Sequence, residues 1–411
     1  LSEGSTPPKV GFFSVLLVYI NPFLQAEDGA GIHSKEFLRW LSRAQVRVQS
    51  FPAPTANRVS TCLGLRARTD RYRSQHPRLA ASLACLRGIL LSISRFRAIR
   101  RAIGCQRPNI VYQRLQSFDW SGLLVRSAFR LPLVLEINAP IAAEVAARWG
   151  SGGNWLYAKH EQICLRAADA ILTVSRELRD MIVADGIDAD KITVNTNGVD
   201  PDLFRYSTAS RTLVRAEHGI PIDHLVIGFV GSSKPWHGRA ELLKAFDNLR
   251  RAFPNLWLLV VGEKASSPPG VARCGVIETG TIPHSEVPKY LSACDVAVAP
   301  YPPMASFYFS PLKVIEYMSM GLPVVAPAMG QNVDLLGCHR GLLYTPGNMH
   351  EFVDRVLCLL RNPALAAELG ANARSYAERE LTWKSNVARA LAVCRTLVTD
   401  AQTGLAHRWH R

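Results

Sequence analysis

The sequence predicts an α/β protein made of two successive Rossmann-like domains, and three observations carry that reading. Short β-rich apolar runs alternate with longer segments of helical periodicity, the pattern of strands buried on both faces of a parallel sheet. The alternation occurs twice, in series separated by the stretch Ser207 to Asp223. At 411 residues the chain is also long enough for two cores of ordinary size. Ligands of such sheets bind beyond the carboxyl ends of the strands, so the expected site is a cleft that both domains face.

The first series of predicted strands is Phe13 to Tyr19, Val46 to Phe51, Asn109 to Tyr112, Leu133 to Glu136, Ala170 to Val174 and Ile192 to Asn195. The second is Val226 to Val230, Leu256 to Val261, Val276 to Thr279, Val296 to Pro300 and Pro323 to Ala326. Val10 to Ile20 is too short for a membrane span and lacks the basic flank and cleavage site of a signal peptide, so it is expected as a buried first strand. Ala364 to Leu397 is Ala-, Leu- and Arg-rich with helical spacing. The expected domains are 1–205 and 224–375, followed by a helical tail, 376–411.

Composition narrows the class. With 48% hydrophobic and 20% charged residues, the chain is globular rather than disordered. Its nine Cys have no Cys-x-x-Cys spacing and no His partner pattern, which argues for reduced, buried thiols in a cytoplasmic protein and against a zinc site. The net charge of +15 is uneven: from Arg58 to Arg107 there are twelve Arg against one acid, Asp70, so that segment alone carries +11. Within it Leu86, Ile89, Leu90, Ile93, Phe96, Ile99 and Ile103 form a helical stripe, with Arg87, Arg95, Arg97 and Arg101 off it. One expectation is a helix packed on the first sheet with a solvated basic face. The other is a peripheral contact with an anionic membrane. No aromatic stacking or groove-reading element accompanies the charge, so nucleic acid is not an expected partner.

The most informative segment runs from Ser310-Pro311-Leu312-Lys313 through Glu316 to Gly321-Leu322-Pro323. Ser and Pro open a helix with apolar Val314, Ile315 and Met318 at helical spacing, and Gly321 with Pro323 ends it before a buried strand. A helix start offers unpaired N–H groups and the positive end of a dipole, so phosphate is expected at Ser310, Pro311, Leu312 and Lys313. Glu316, one turn on, is placed to accept both hydroxyls of a ribose.

These residues resemble the donor-binding segment of glycosyltransferase family 4. The same family pattern recurs at Gly29-Ala30-Gly31, at Leu135-Glu136-Ile137-Asn138-Ala139-Pro140, at Ala168 to Ser175, at Asn197-Gly198-Val199-Asp200 and at Gly231-Ser232-Ser233-Lys234-Pro235-Trp236-His237-Gly238. The resemblance implies the GT-B fold, with a C-terminal helix returning to the first domain, and retaining transfer of a sugar from a nucleotide-diphosphate donor. It implies an acceptor, saccharide or lipid-linked, held by the first domain, a role in polysaccharide or glycolipid assembly, and no cofactor besides the donor substrate.

Three departures from the family pattern matter. The second-domain loop, where the family places an Arg and a Lys, holds Ser232 and His237. Lys234 and His237 are the replacements available to a diphosphate whose charge grows as the glycosidic bond breaks. Gly231 and Gly238 permit close backbone approach. Lys234 is therefore the expected catalytic cation, against the alternative of a lysine in water on an ordinary loop. Tyr308 stands where the family has a Glu that meets the donor sugar, either as a sugar contact or as a packing aromatic beside Phe307 and Phe309. Glu136 stands where relatives have a His, and is expected either at the reacting sugar or acceptor, or satisfying a helix N-terminus. Gly31 allows N–H groups to approach phosphate or acceptor. Asp188-Ala189-Asp190 and Asp200-Pro201-Asp202 read as turn residues bonding their own backbone, and no catalytic metal is expected. Two other readings stay open: a GT-B nucleotide-sugar epimerase and a degenerate nucleotide-binding scaffold.

Overall fold

In a computed structural model of the chain, the described residues are 16–23, 29–51, 75–104, 106–150, 152, 154–263 and 274–403. The beginning of the first predicted strand, Phe13 to its neighbour before Leu16, and the Arg58 end of the basic segment lie outside them. The first sheet contains β1 (Leu16–Ile20), β2 (Arg47–Phe51), β3 (Ile110–Arg114), β4 (Leu133–Ile137), β5 (Ala170–Thr173) and β6 (Ile192–Val194) in the order β2-β1-β3-β4-β5-β6. β1 pairs in parallel with β2 and β3, and β3 with β4. The second sheet contains β7 (Leu225–Val230), β8 (Leu256–Val261), β9 (Val276–Glu278), β10 (Val296–Val298), β11 (Val324–Pro327) and β12 (Leu342–Tyr344) in the order β12-β11-β10-β7-β8-β9, all parallel.

Eleven of these strands fall on predicted runs. β12 does not: it is three residues long and buries only Tyr344 fully, so it leaves almost no apolar signature. In the second sheet successive residues serve opposite layers. Val226 packs with Val314, Ile315 and Met318, whereas Ile227 packs with Phe246, Leu249 and Leu359. That two-sided burial is why these strands read as continuous apolar runs. Strand order reverses between β1 and β3 and again between β7 and β10, and the carboxyl ends at those reversals are where ligands of doubly wound sheets bind.

Contacts divide the chain into two compact units, Leu1–Leu172 with Leu391–Arg411, and Thr173–Ala390. The Ala364 to Leu397 pattern is two helices, Pro363–Glu380 and Trp383–Gln402. The break falls at Leu381 and Thr382, where Thr382 Oγ1 accepts from the Ser385 amide at 3.0 Å and caps the second helix.

One expectation is overturned in the helix Pro77–Ile103. Of its predicted inward stripe only Ile99 and Ile103 are buried, while Leu86, Ile89, Leu90 and Ile93 are exposed together with Leu79 and Leu83. The inward face over that length is Ala81, Ala84, Cys85, Gly88 and Ser92. The cause is steric: a Cβ on Gly88 would stand 2.4 Å from Phe118 Cβ, so only small residues fit against the neighbouring helices Ser121–Phe129 and Asn154–Ala167. Arg95, expected on the basic face, is buried because it pairs with Asp119. A buried carboxylate draws its cation inward, since either charge alone would be costly there.

Candidate functional site

The unit Thr173–Ala390 carries its polar constellation at the β7/β10 reversal. The helix Leu312–Ser319 starts after Pro311, whose carbonyl accepts from the Val314 and Ile315 amides at 3.0 and 3.3 Å, so the amides ahead of them, Leu312 and Lys313, have no preceding carbonyl of the helix to bond. Lys313, on that first turn, is 9% exposed. Its ammonium lies 4.6 Å from the Phe229 ring centre and 5.2 Å from that of Tyr301. Nζ has no hydrogen-bond partner among the described residues. It points at the loop after β7, where a Cβ added to Gly231 would stand 2.9 Å from Lys313 Nζ and 3.0 Å from His237 Nδ1. Glycine at 231 is thus what leaves open the space these two nitrogens border.

Burial pushes the Lys313 amine down to about 7, although Glu316 nearby favours its charge. Burial also pushes His237 down to about 4, with Lys313 acting in the same direction, so this imidazole is neutral at pH 7. His237 Nδ1 lies 3.0 Å from the Ser232 amide nitrogen and 3.2 Å from the Ser232 carbonyl oxygen, so this loop holds the imidazole by that nitrogen. Gly238 turns the chain at φ 71°, and a Cβ there would fall 1.6 Å from the Pro300 carbonyl oxygen. Lys234 is exposed, with its ammonium 5.3 Å from the Trp236 ring centre. Of the loop's two candidate replacements, His237 therefore borders the open space, and the buried cation there comes from Lys313 on the helix.

Glu316 is buried, one turn past Lys313, and its Oε1 lies 2.6 Å from His284 Nε2. Nothing local announces His284, which is 32 residues away and reaches Glu316 only through the fold. Ser310 is fixed by Asn197: the Asn197 amide donates to Ser310 Oγ at 3.2 Å and Asn197 Nδ2 donates to the Ser310 carbonyl at 3.0 Å. Tyr308 is half-buried, its ring edge-on to Phe309 with centres 6.0 Å apart, and its carbonyl accepts from Ser175 Oγ. Asp188 accepts from the Asp190 amide at 3.0 Å and Asp200 from the Asp202 amide at 3.2 Å, the local backbone bonding expected of turn residues.

The other unit has its own constellation at the β1/β3 reversal. Glu136, at the end of β4, is buried; its Oε2 accepts from Tyr112 OH at 2.7 Å and its Oε1 lies 2.8 Å from His33 Nε2. Arg114 is 3.7 Å from the same oxygen and donates to the Ala30 carbonyl and to Ser34 Oγ, both at 3.1 Å. Burial alone would raise the Glu136 carboxyl, but His33, Arg114 and Tyr112 hold it down to about 2. The adjacent helix Ile141–Trp149 does not use Glu136; its first amides, Ile141 and Ala142, donate to Glu161 at 3.0 and 3.1 Å. At the helix Ile141–Trp149 the terminus role is filled by Glu161, and the helix that Glu136 contacts is Gly29–Arg43, through His33. Gly31 is buried in the first turn of the helix Gly29–Arg43. His33, two residues beyond it, is the partner that the glycine loop could have flagged.

Two Rossmann-like α/β sheets of six strands each define the class as the GT-B fold of glycosyltransferases. The chain belongs to glycosyltransferase family 4: residues 28–203 match the model described as Glycosyltransferase Family 4, and residues 224–362 match the one described as Glycosyl transferases group 1. It is 26% identical to a D-inositol 3-phosphate glycosyltransferase of Corynebacterium glutamicum over 76% of each chain. A 2-deoxystreptamine glucosyltransferase of Streptomyces kanamyceticus is 30% identical over 51% of this chain and 56% of its own. In fold it is similar to a sucrose-phosphate synthase from Thermosynechococcus elongatus, with TM-score 0.72 and 18% identity over 94% of this chain and 99% of that one. It is also similar to Anabaena HepE in complex with UDP, with TM-score 0.65 and 16% identity over 93% and 100%.

Proposed function

We propose that the protein is a retaining glycosyltransferase that takes a sugar from a nucleotide-diphosphate donor to an acceptor hydroxyl. The observation that carries this is the buried Lys313 ammonium, without a hydrogen-bond partner among the described residues, beside Gly231 and His237 and one helical turn from Glu316. A diphosphate supplies the anion such a lysine lacks, and Glu316 receives the ribose hydroxyls. Anabaena HepE, of the same fold, is described with UDP and with UDP-glucose, which supports a uridine donor.

In the reaction the bond from the anomeric carbon to the β-phosphate oxygen breaks, and a bond to the acceptor oxygen forms on the same face. The acceptor's proton passes to the departing phosphate oxygen, so no protein base is required. Lys313, the His237 imidazole and the amides of the helix start offset the charge that develops on the leaving group, with Lys234 as the outer cation. Glu136 and Arg114 tie the ends of β4 and β3 to the helix that begins at Gly29, through His33 and the Ala30 carbonyl, which fixes the acceptor side. The acceptor is a saccharide or lipid-linked saccharide of polysaccharide or glycolipid assembly. The enzyme works in the cytoplasm at the periphery of an anionic membrane, through the basic segment that ends at Arg107.

The test is transfer or slow hydrolysis from a panel of UDP-, GDP- and ADP-sugars, with calorimetric binding of the matching nucleotides. Binding and transfer with retained anomeric configuration support the reading. Binding without turnover on any acceptor points to a scaffold, isomerised donor to an epimerase, and no binding overturns the donor site.

A further inference from the structure

The helix Pro77–Ile103 is long and apolar enough to cross a membrane by length and composition, yet most of it is exposed. Its inner face is pinned along its length by Gly88 against Phe118, by the Arg95–Asp119 pair and by buried Ile99 and Ile103. A helix held this way can lie in a bilayer surface but cannot span it. The outer face changes character along its axis. Leu79, Leu83, Leu86, Ile89, Leu90 and Ile93 are exposed, Leu90 by 60%, and they extend over about 21 Å at the rise of an α-helix. Arg97, Arg100 and Arg101 follow on the exposed side, with Arg78 and Arg87 beside the leucines, and the helix has no acid anywhere. Trp155, 61% exposed, opens the neighbouring helix, and a Cβ on Gly152 just before it would lie 2.7 Å from Pro77.

We infer that this outer face inserts into the headgroup and upper acyl region of an anionic bilayer, with the leucines and isoleucines entering the lipid and the arginines on lipid phosphates. The inference builds on the peripheral-membrane part of the reading above and changes its physics. Charge attraction alone vanishes once the Debye length shrinks, whereas apolar insertion does not. An absence of acid from 27 residues, with Arg78, Arg87, Arg97, Arg100 and Arg101 exposed beside the apolar side chains, complements a surface that is both anionic and apolar beneath its charges, which is an anionic bilayer.

The experiment is flotation of the full chain with phosphatidylcholine vesicles carrying about 30% phosphatidylglycerol, at about 50 mM and about 0.5 M salt, where screening separates the two contributions. Wild type is expected to bind at both. L83Q/L86Q/L90Q is expected to lose at least about tenfold in partitioning at high salt. R97Q/R100Q/R101Q, with Arg95 kept because it is buried, loses about fivefold per charge at low salt and little at high salt. Thermal melts and sedimentation velocity check that each variant is folded and report its oligomeric state. Wild-type binding abolished by high salt overturns the inference, as does unchanged binding of the leucine variant. A wild-type dimer in lipid-free buffer that the leucine variant dissociates also overturns it, by assigning the face to a second copy. Nucleotide binding, measured in the same samples, reports on the glycosyltransferase reading independently.

Discussion

Lys313→Met tests the donor site most directly, because the structure gives the lysine two opposing effects on two different states. Without nucleotide, the buried amine sits at about 7 against an ordinary lysine value near 10.4. The unfolded chain therefore holds more protons than the folded one between about pH 7 and pH 10. From this group, stability rises with pH across that window, by at most about 1.4 kcal/mol per unit. The methionine variant lacks that rise and melts higher than wild type at pH 7 when no nucleotide is present. With a diphosphate beside Nζ the balance reverses, because the anion restores the amine's affinity for its proton. At pH 8 only about a tenth of the free protein carries that proton, so UDP binding takes up close to one proton and weakens about tenfold per unit of rising pH. Measuring between about pH 7.5 and 9 keeps clear of the phosphate's own titration near 6. The loss in Lys313→Met is that of a charge-assisted contact, about 1.5 to 3 kcal/mol or roughly ten- to hundredfold in affinity. Calorimetry in two buffers of different ionisation enthalpy reads affinity and proton uptake together, with Lys234→Ala as the control that keeps the proton uptake. Wild type binding UDP at pH 8 without proton uptake, or Lys313→Met binding as wild type does, refutes the reasoning.

Glu316→Gln should weaken nucleotide binding at least several-fold by the loss of a charged hydrogen-bonding partner, with an unchanged circular dichroism spectrum; equal affinity in the folded variant removes Glu316 from the ribose. Lys234→Ala should lower the turnover number more than it raises the Michaelis constant, since the leaving group gains charge only as its bond to the sugar breaks; steady-state kinetics showing the reverse makes Lys234 a ground-state contact. Transfer should persist in EDTA, because the helix start and Lys313 supply the positive charge; full loss that magnesium or manganese restores contradicts this. Arg95→Gln should cost on the order of 3 to 5 kcal/mol in a denaturant titration by leaving Asp119 buried without its partner, whereas Arg97→Gln should stay within about 0.5 kcal/mol.

What the sequence made legible follows from how local each signal is. Buried strands such as Val226 to Val230 and Leu256 to Val261 announce themselves because both faces are apolar, while Leu342–Tyr344 is too short to register. The helix after Pro311, and with it the place of Glu316 one turn on, were readable from spacing alone. The cation was not: Lys234 lies in the motif, but the nitrogen beside Gly231 belongs to Lys313, 82 positions further on, and only the β7/β10 crossing brings them together. His33 and His284 escaped for the same reason, as each gains its meaning from a carboxylate distant in the chain. In the helix Pro77–Ile103 the apolar positions read from periodicity as one stripe divide between two faces, Leu86, Ile89, Leu90 and Ile93 outward and Ile99 and Ile103 inward. That was decided by Gly88 against Phe118 and by the pull of Asp119 on Arg95.

The small inward face of that helix separates its two sides as objects of selection. Ala81, Gly88 and Ser92 already satisfy the packing of the fold, so folding exerts almost no pull on what stands at Leu83, Leu86 or Leu90. A mutational scan scored by thermal stability should find the outer positions permissive and Gly88 intolerant. The same scan scored by growth in cells that depend on the enzyme should mark the outer positions as constrained, and the gap between the two maps would trace the surface the protein keeps for its surroundings rather than for itself.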